Sequence, residues 1–278
     1  MANPFPFSGF IRLPSAVILA PSLKHGPRVA RTRNDFKGAI WMLSKQAIDS
    51  GAYIEHFRSM PGLWSTEQIE QSLVDTLSSR PDDELGVWVF AYGSLMWNPM
   101  VTFDRRVVAT LHDWHRSFCL EMVIGRGSAD LPGRMLALEA GGQTNGVALR
   151  LSGETMHEDL KVLWIREMVL GSYRPTWARV TLDDGAQSHA IVFVANEMSV
   201  QYQADSCVAK IAPLIATATG AIGSNAEYVF RLRDALSHCE LADEYVEALA
   251  NEIERYLAGE PCGQADAPDT PSSDWQRS

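Results

Sequence analysis

Two textures alternate along the chain. Residues 36–80 and the stretch after 200 carry apolar positions at helical spacing. Between 87 and 195 the chain instead shows short apolar runs, several of them separated by glycine-rich or polar turns. In the first helical stretch Ser65-Thr66-Glu67-Gln68 has the form of a helix start, and Ile69, Leu73 and Leu77 follow on one face. Arg80-Pro81-Asp82-Asp83 ends that helix and reads as a linker. The middle stretch predicts strands at 87–92, 105–111, 115–124, 134–139, 145–151, 176–182 and 188–195. Such spacing suits a small antiparallel sheet or barrel better than alternating βαβ units. One helix near 155–170 interrupts the strands, and three more are expected near 205–218, 224–238 and 242–257. The expected class is α+β: a small, mostly antiparallel β-barrel flanked by helices.

The same patterning divides the chain. Residues 1–35 are rich in proline and basic residues and lack periodicity, so they are expected to form a loose N-terminal extension. Residues 36–84 form a helical extension and linker, 85–258 the principal domain, and 259–278 a disordered tail rich in Pro, Ser, Asp and Gly.

Within the principal domain, Trp88-Val89-Phe90-Ala91-Tyr92 runs straight into Gly93-Ser94-Leu95 with no charge at the junction. A continuous apolar run ending in a turn suits a strand buried on both faces. Consecutive amides in such a turn can form an anion-binding nest. An ordinary tight turn has the same local signature.

A second site lies on the helix near 155–170. Thr155-Met156-His157-Glu158 has capping-box form, Gly171 suits the far end, and Met156, Leu160, Leu163, Trp164 and Met168 make an apolar stripe. Glu167 falls on that stripe. A buried carboxylate must pair, protonate or face a cavity. One reading is an ion pair with Arg150, Arg174 or Arg179; the other is a general acid/base whose pKa is raised by apolar surroundings.

Other patterns exclude more than they propose. His112 and His115 sit three apart on a strand and face opposite ways, which disfavours a shared metal ion. Ser94 is not in a G-x-S-x-G elbow, and neither a P-loop nor a G-x-G-x-x-G fingerprint occurs. Asn225 reads as an N-cap and Tyr228 as a core aromatic with a polar tip. The chain of 278 residues carries 24 basic and 34 acidic residues, a net charge of −10, which argues against nucleic acid or an anionic membrane as its main partner. Cys119, Cys207, Cys239 and Cys262 match no zinc spacing and suit a reducing cytosol. The run Ala16-Val17-Ile18-Leu19-Ala20 is too short to span a bilayer and makes a poor signal peptide. A cytoplasmic protein is expected.

Taken together, the turn and the glutamate carry a family resemblance. Val89-Phe90-Ala91-Tyr92-Gly93-Ser94-Leu95 with Met96-Trp97-Asn98-Pro99 resembles the opening of the ChaC family of glutathione-specific γ-glutamylcyclotransferases. Further segments match in order: His115 to Cys119, Gly125-Arg126-Gly127, Pro132 to Leu138, Gly146 to Arg150, Leu163 to Met168, Tyr173 to Trp177, and Gly223 to Tyr228. One departure is Ala91, where the family usually carries glycine. The resemblance covers roughly 85–250, with weaker, bacterial-type similarity back to the helix at 65–78.

It implies a small barrel with a pocket lined by the Tyr-Gly-Ser-Leu loop, an essential glutamate at Glu167, and substrate contacts along Val89, Phe90, Ala91, Tyr92, Gly93, Ser94 and Leu95. Arg126 and Tyr228 are further pocket candidates. The implied substrate is glutathione, cyclised to 5-oxoproline with release of Cys-Gly, without metal, nucleotide or other cofactor. Other γ-glutamyl amines or dipeptides, or γ-glutamyl binding without catalysis, are the alternative readings. The oligomeric state is not legible in the sequence.

Overall fold

The computed structural model describes residues 44–81 and 86–260. The expectations for 1–35, and for nearly all of 259–278, lie outside them. Five strands close into a barrel: β1 (Val87–Ala91), β2 (Arg105–Met122), β3 (Gly133–Leu151), β4 (Tyr173–Leu182) and β5 (Gln187–Ala195). Their order around the barrel is β1-β3-β2-β4-β5, antiparallel except where β5 meets β1 in parallel. The α+β barrel expected from the patterning is the observed fold.

β1 has a strand on each edge and every one of its residues is buried. That is why it reads as an unbroken apolar run rather than an alternating one. By contrast, four predicted strands merge into two. β2 and β3 form one long hairpin of 18 and 19 residues. The sequence suggested breaks at Asp113 and Gly141-Gly142, residues that favour turns. Here they form a bulge: His112 pairs with Gln143 but Trp114 pairs with Ala140, with positive φ at Asp113, Gly141 and Gly142. The bulge bends the hairpin without ending it.

Helices cover the barrel. Two short ones, α1 (Lys45–Asp49) and α2 (Ala52–His56), precede α3 (Thr66–Ser78). The start of α3 is the expected one, since Ser65 and Gln68 form a reciprocal capping box. α3 is tied down by two indoles: Trp164 Nε1 donates to Ser72 Oγ at 3.2 Å, and Trp177 Nε1 donates to the Thr76 carbonyl at 2.7 Å. α4 (Met156–Met168) follows β3 and packs on α1 and α3. Its predicted capping box does not form. Thr155 is already in the helical region, at φ −85° and ψ −10°, so its hydroxyl caps nothing, and Glu158 pairs with Lys161 instead.

After β5 come α5 (Val208–Thr217), the small pair β6 (Thr219–Gly220) and β7 (Gly223–Ser224), α6 (Asn225–His238) and α7 (Glu244–Leu257). The cap of α6 is Ser224, whose hydroxyl accepts from the Glu227 amide. Asn225, expected to be the cap, lies one residue inside the helix and is fully buried. Its amide accepts from Arg134 N at 2.7 Å and donates to Arg134 O at 3.0 Å, so it completes the backbone bonding of β3. Leaving one buried polar group unpaired costs roughly 1–3 kcal/mol. Asn225→Ala strands two such groups and is expected to destabilise the fold by about 3 kcal/mol in urea unfolding. A loss below about 0.5 kcal/mol would show that the side chain does not hold α6 to β3.

Candidate active site

The site begins where β1 ends. Gly93 leads into a short 3₁₀ turn, Ser94–Met96. The turn's own bonds run from the Met96, Trp97 and Asn98 amides back to the Gly93 and Ser94 carbonyls. Amides at the start of such a turn are left out of its internal pattern, and the Ser94 amide meets the Tyr228 hydroxyl. A side chain at Gly93 would put its Cβ 3.0 Å from Tyr228 Oη and 3.1 Å from Leu136 Cδ2, so a larger residue fits only if those neighbours yield.

Opposite the turn stands α4. Leu160, Leu163, Trp164 and Met168 are buried in the core, and Glu167, on the same stripe, leaves only 15% of its side chain exposed. None of the arginines proposed from the sequence pairs with it. Arg150 is bonded to Asp104 and Arg179 to Asp113, while Arg174 is exposed on β4. The partner is the preceding residue, Arg166, whose Nε lies 3.0 Å from Glu167 Oε1. Neighbouring helical residues project about 100° apart, yet the long guanidinium arm reaches the carboxylate. Its two terminal nitrogens bond Ser94 Oγ at 2.6 Å and the Asn98 carbonyl at 2.5 Å. Arg166 therefore joins the carboxylate on α4 to the turn after β1.

Burial raises the Glu167 pKa above the usual carboxylate value, and the Arg166 charge opposes that rise. Four phenols, Tyr53, Tyr92, Tyr173 and Tyr228, are close enough to sense the carboxylate's charge. Burial is the main reason all four titrate high, with Tyr228 pushed up to about 12, so they remain neutral donors. Tyr92 Oη donates to the Phe193 carbonyl at 2.5 Å and Tyr173 Oη to the Leu136 carbonyl at 2.8 Å, which fixes both rings to the barrel. Trp97 and Phe118 meet the Tyr228 ring edge-on.

These groups surround one cavity of about 650 Å³, within the range of small-molecule sites. Of the residues named from the sequence, Tyr92, Gly93, Ser94, Leu95, Arg126, Glu167 and Tyr228 line it. Val89, Phe90 and Ala91 do not. They are fully buried in β1, hemmed in by strands on both edges and by the core, and serve the barrel instead of the cavity. Arg126 reaches the cavity already engaged, donating to the Ser224 carbonyl at 2.8 Å and to Glu227 at 3.1 Å.

Sequence reasoning missed Arg166 as a site residue, although it stands inside the matching segment Leu163 to Met168, directly before Glu167. An arginine beside a stripe glutamate was the available signal. It also missed Tyr53, His56, Phe57 and Met60, which line the cavity from the N-terminal helical segment; helical spacing gave them no distinguishing mark. His112 and His115 bond separately, to Thr181 and to the Gly141 carbonyl.

Glu167, the main-chain turn and four neutral phenols thus line one cavity. Residues 87–256 match the family model described as ChaC-like protein, and the chain belongs to that family. It is 48% identical over 196 residues to the glutathione-specific gamma-glutamylcyclotransferase of Escherichia coli (strain K12), covering 70% of this chain and 84% of that protein. It is 32% identical over 186 residues to glutathione-specific gamma-glutamylcyclotransferase 1 of Mus musculus, covering 65% and 82% respectively. A yeast crystal structure of a gamma-glutamyl cyclotransferase specific to glutathione superimposes with a TM-score of 0.57 at 22% identity, over 62% of this chain and 97% of that one, and supports the fold. Among the described residues no helix is long and apolar enough to cross a membrane.

The raised pKa has a consequence for stability. At neutral pH the folded protein bears the cost of a desolvated carboxylate that the unfolded chain does not. Glu167's contribution therefore falls as pH rises from the ordinary carboxylate value through its raised one. Glu167→Gln removes that cost, so the variant is expected to melt above the wild type at about pH 7.5 and to lose the advantage towards about pH 4. A variant that melts lower at both pH values would mean that the ion pair with Arg166 outweighs desolvation.

Proposed function

We propose that this protein cleaves glutathione by cyclising its γ-glutamyl group, releasing 5-oxoproline and Cys-Gly, with Glu167 as general acid/base. Family membership supports the reaction class. The observation that carries the site assignment is that Glu167 and the Gly93–Leu95 turn face one cavity and are joined through Arg166.

The reaction is intramolecular. The α-amine of the glutamyl group attacks its own γ-carbonyl carbon, the C–N bond to cysteine breaks, and the freed cysteinyl amine leaves. Holding amine and carbonyl in attack geometry can supply roughly 7–11 kcal/mol of the barrier. The amine arrives largely as ammonium and must lose a proton before it attacks. A glutamate with an ordinary pKa of about 4.3 is a weak base for that task. Burial improves the match, while Arg166 keeps enough of the carboxylate ionised to accept the proton. Glu167 then returns that proton to the departing nitrogen. The amides left out of the turn's internal bonding, together with the Tyr228 hydroxyl beside them, stabilise the glutamyl α-carboxylate or the oxygen that gains charge at the carbonyl. Neutral Tyr228, against Gly93, is a further donor at the same spot.

Purified protein incubated with glutathione should release 5-oxoproline and Cys-Gly in equal amounts, and Glu167→Gln, though folded, should release neither. Turnover by that variant near the wild-type rate would sink the assignment of the base.

Arg166 acts through Glu167, so its test is a pH profile. An opposite charge within reach lowers a carboxylate pKa by about one unit or more. Arg166→Gln should move the acid limb of kcat/KM upward by about one pH unit, and Arg166→Lys should recover part of the shift. An unmoved limb in both variants would leave Arg166 with a purely structural role.

A further inference from the structure

The residues matched by the family model begin at 87, yet part of the cavity is built by the chain upstream of it. α1, α2 and the segment that follows them are firmly docked there. Tyr53 Oη donates to the Arg166 carbonyl at 3.1 Å, Lys45 pairs with buried Asp159 at 3.3 Å, and the Trp64 amide donates to the Val169 carbonyl at 2.9 Å. Gln201 Nε2 donates to the Pro61 carbonyl at 3.0 Å. Ile48 and Tyr53 pack against Val162 and Val169 on the outer face of α4. This segment thus shares a backbone contact with the residue that holds Glu167, and it presents His56, Phe57 and Met60 to the cavity.

The charged groups lining the cavity differ in how far they are already committed. Arg166 is spent on Ser94, Asn98 and Glu167. Arg126 is spent on Ser224 and Glu227; Arg231, largely exposed, sits 3.8 Å from the same Glu227, whose charge it shares with Arg126. Glu121 and Glu227 are acidic and repel a carboxylate. His56 is different. Its ring is half-buried, stands edge-on to Phe57 at 5.3 Å, and makes no hydrogen bond with any described residue. An imidazole always carries at least one N–H donor, whichever tautomer is present. Beside it Phe57 and Met60 offer an apolar, sulfur-tolerant surface. A wall with one unspent donor and an apolar floor matches a short peptide that bears a thiol side chain and ends in a carboxylate.

We infer that the wall formed by His56, Phe57 and Met60 receives the cysteinyl-glycine half of the substrate, with the His56 imidazole donating to the glycyl carboxylate. The inference rests on the glutathione reading above. It makes specificity for the leaving group a property of the chain upstream of the family core, while the chemistry stays within that core.

The test compares glutathione with its glycyl monoethyl ester, in which that carboxylate is masked and the rest of the molecule is kept. The wild type should prefer the free acid. A hydrogen bond to a charged group is typically worth about a tenfold change or more, so His56→Ala should lower kcat/KM for glutathione about tenfold, mainly through KM. The same variant should leave the ester nearly unaffected, and the preference for the acid should vanish. His56→Gln, which keeps an N–H donor, should restore part of it. The ratio of the two substrates does not depend on how much of a variant is folded. A ratio unchanged from wild type in His56→Ala would overturn the inference while leaving the glutathione reading intact. A wild type that turns over neither substrate would overturn the glutathione reading itself.

Discussion

Everything at this site depends on keeping one carboxylate out of water while a guanidinium stays within 3.0 Å of it. Burying two charges is expensive, and their attraction compensates only when the remaining hydrogen-bonding capacity is used. Arg166 meets that condition by donating to Ser94 and Asn98. The same bonds serve a second purpose. They join a helix to a strand-end turn that lies some seventy residues earlier in the chain, so Glu167 and the turn are positioned by one side chain. The pair also sets a balance: desolvation raises the Glu167 pKa and the cation restrains the rise.

The barrel makes that arrangement rigid. β1 is buried along its whole length, so the turn that follows it has little freedom to shift. A second buried arginine, Arg116, reinforces the same corner. It donates to the Tyr92 carbonyl at 2.9 Å and the Asn145 carbonyl at 2.7 Å, and it pairs with Asp243 at the start of α7. Two guanidiniums thus hold the ends of the Tyr92–Asn98 segment from opposite elements. On the other flank the phenols of Tyr92 and Tyr173 are anchored to backbone carbonyls of β5 and β3. A site set in this way needs little rearrangement to stabilise charge as it develops.

Much of this is legible in the sequence. The apolar run into Gly93, the glutamate on an apolar stripe and the short strands between helical ends are local patterns, and local physics sets them. What was misread had a tertiary cause. Asp113 and Gly141-Gly142 look like turns, but a bulge absorbed them because the hairpin was worth more as a continuous ladder. Asn225 looks like a cap, but its amide found better partners on the backbone of β3. Val89, Phe90 and Ala91 belong to a motif that touches the cavity, yet strand geometry turns those three into the core. Glu167 had three plausible arginine partners by distance along the chain and took a fourth, its immediate neighbour.

The sequence by itself determined the class of fold, the strand that would be buried on both faces, and the glutamate that could not lie comfortably in the core. Periodicity and the cost of burying charge suffice for those conclusions, because each concerns a residue and its own element. Only the tertiary structure decided which arginine answers Glu167, which of the motif residues reach the cavity, and that residues near 53–60 complete its wall. Those facts depend on where elements distant in sequence come to rest against one another, and no periodicity within a single element encodes that.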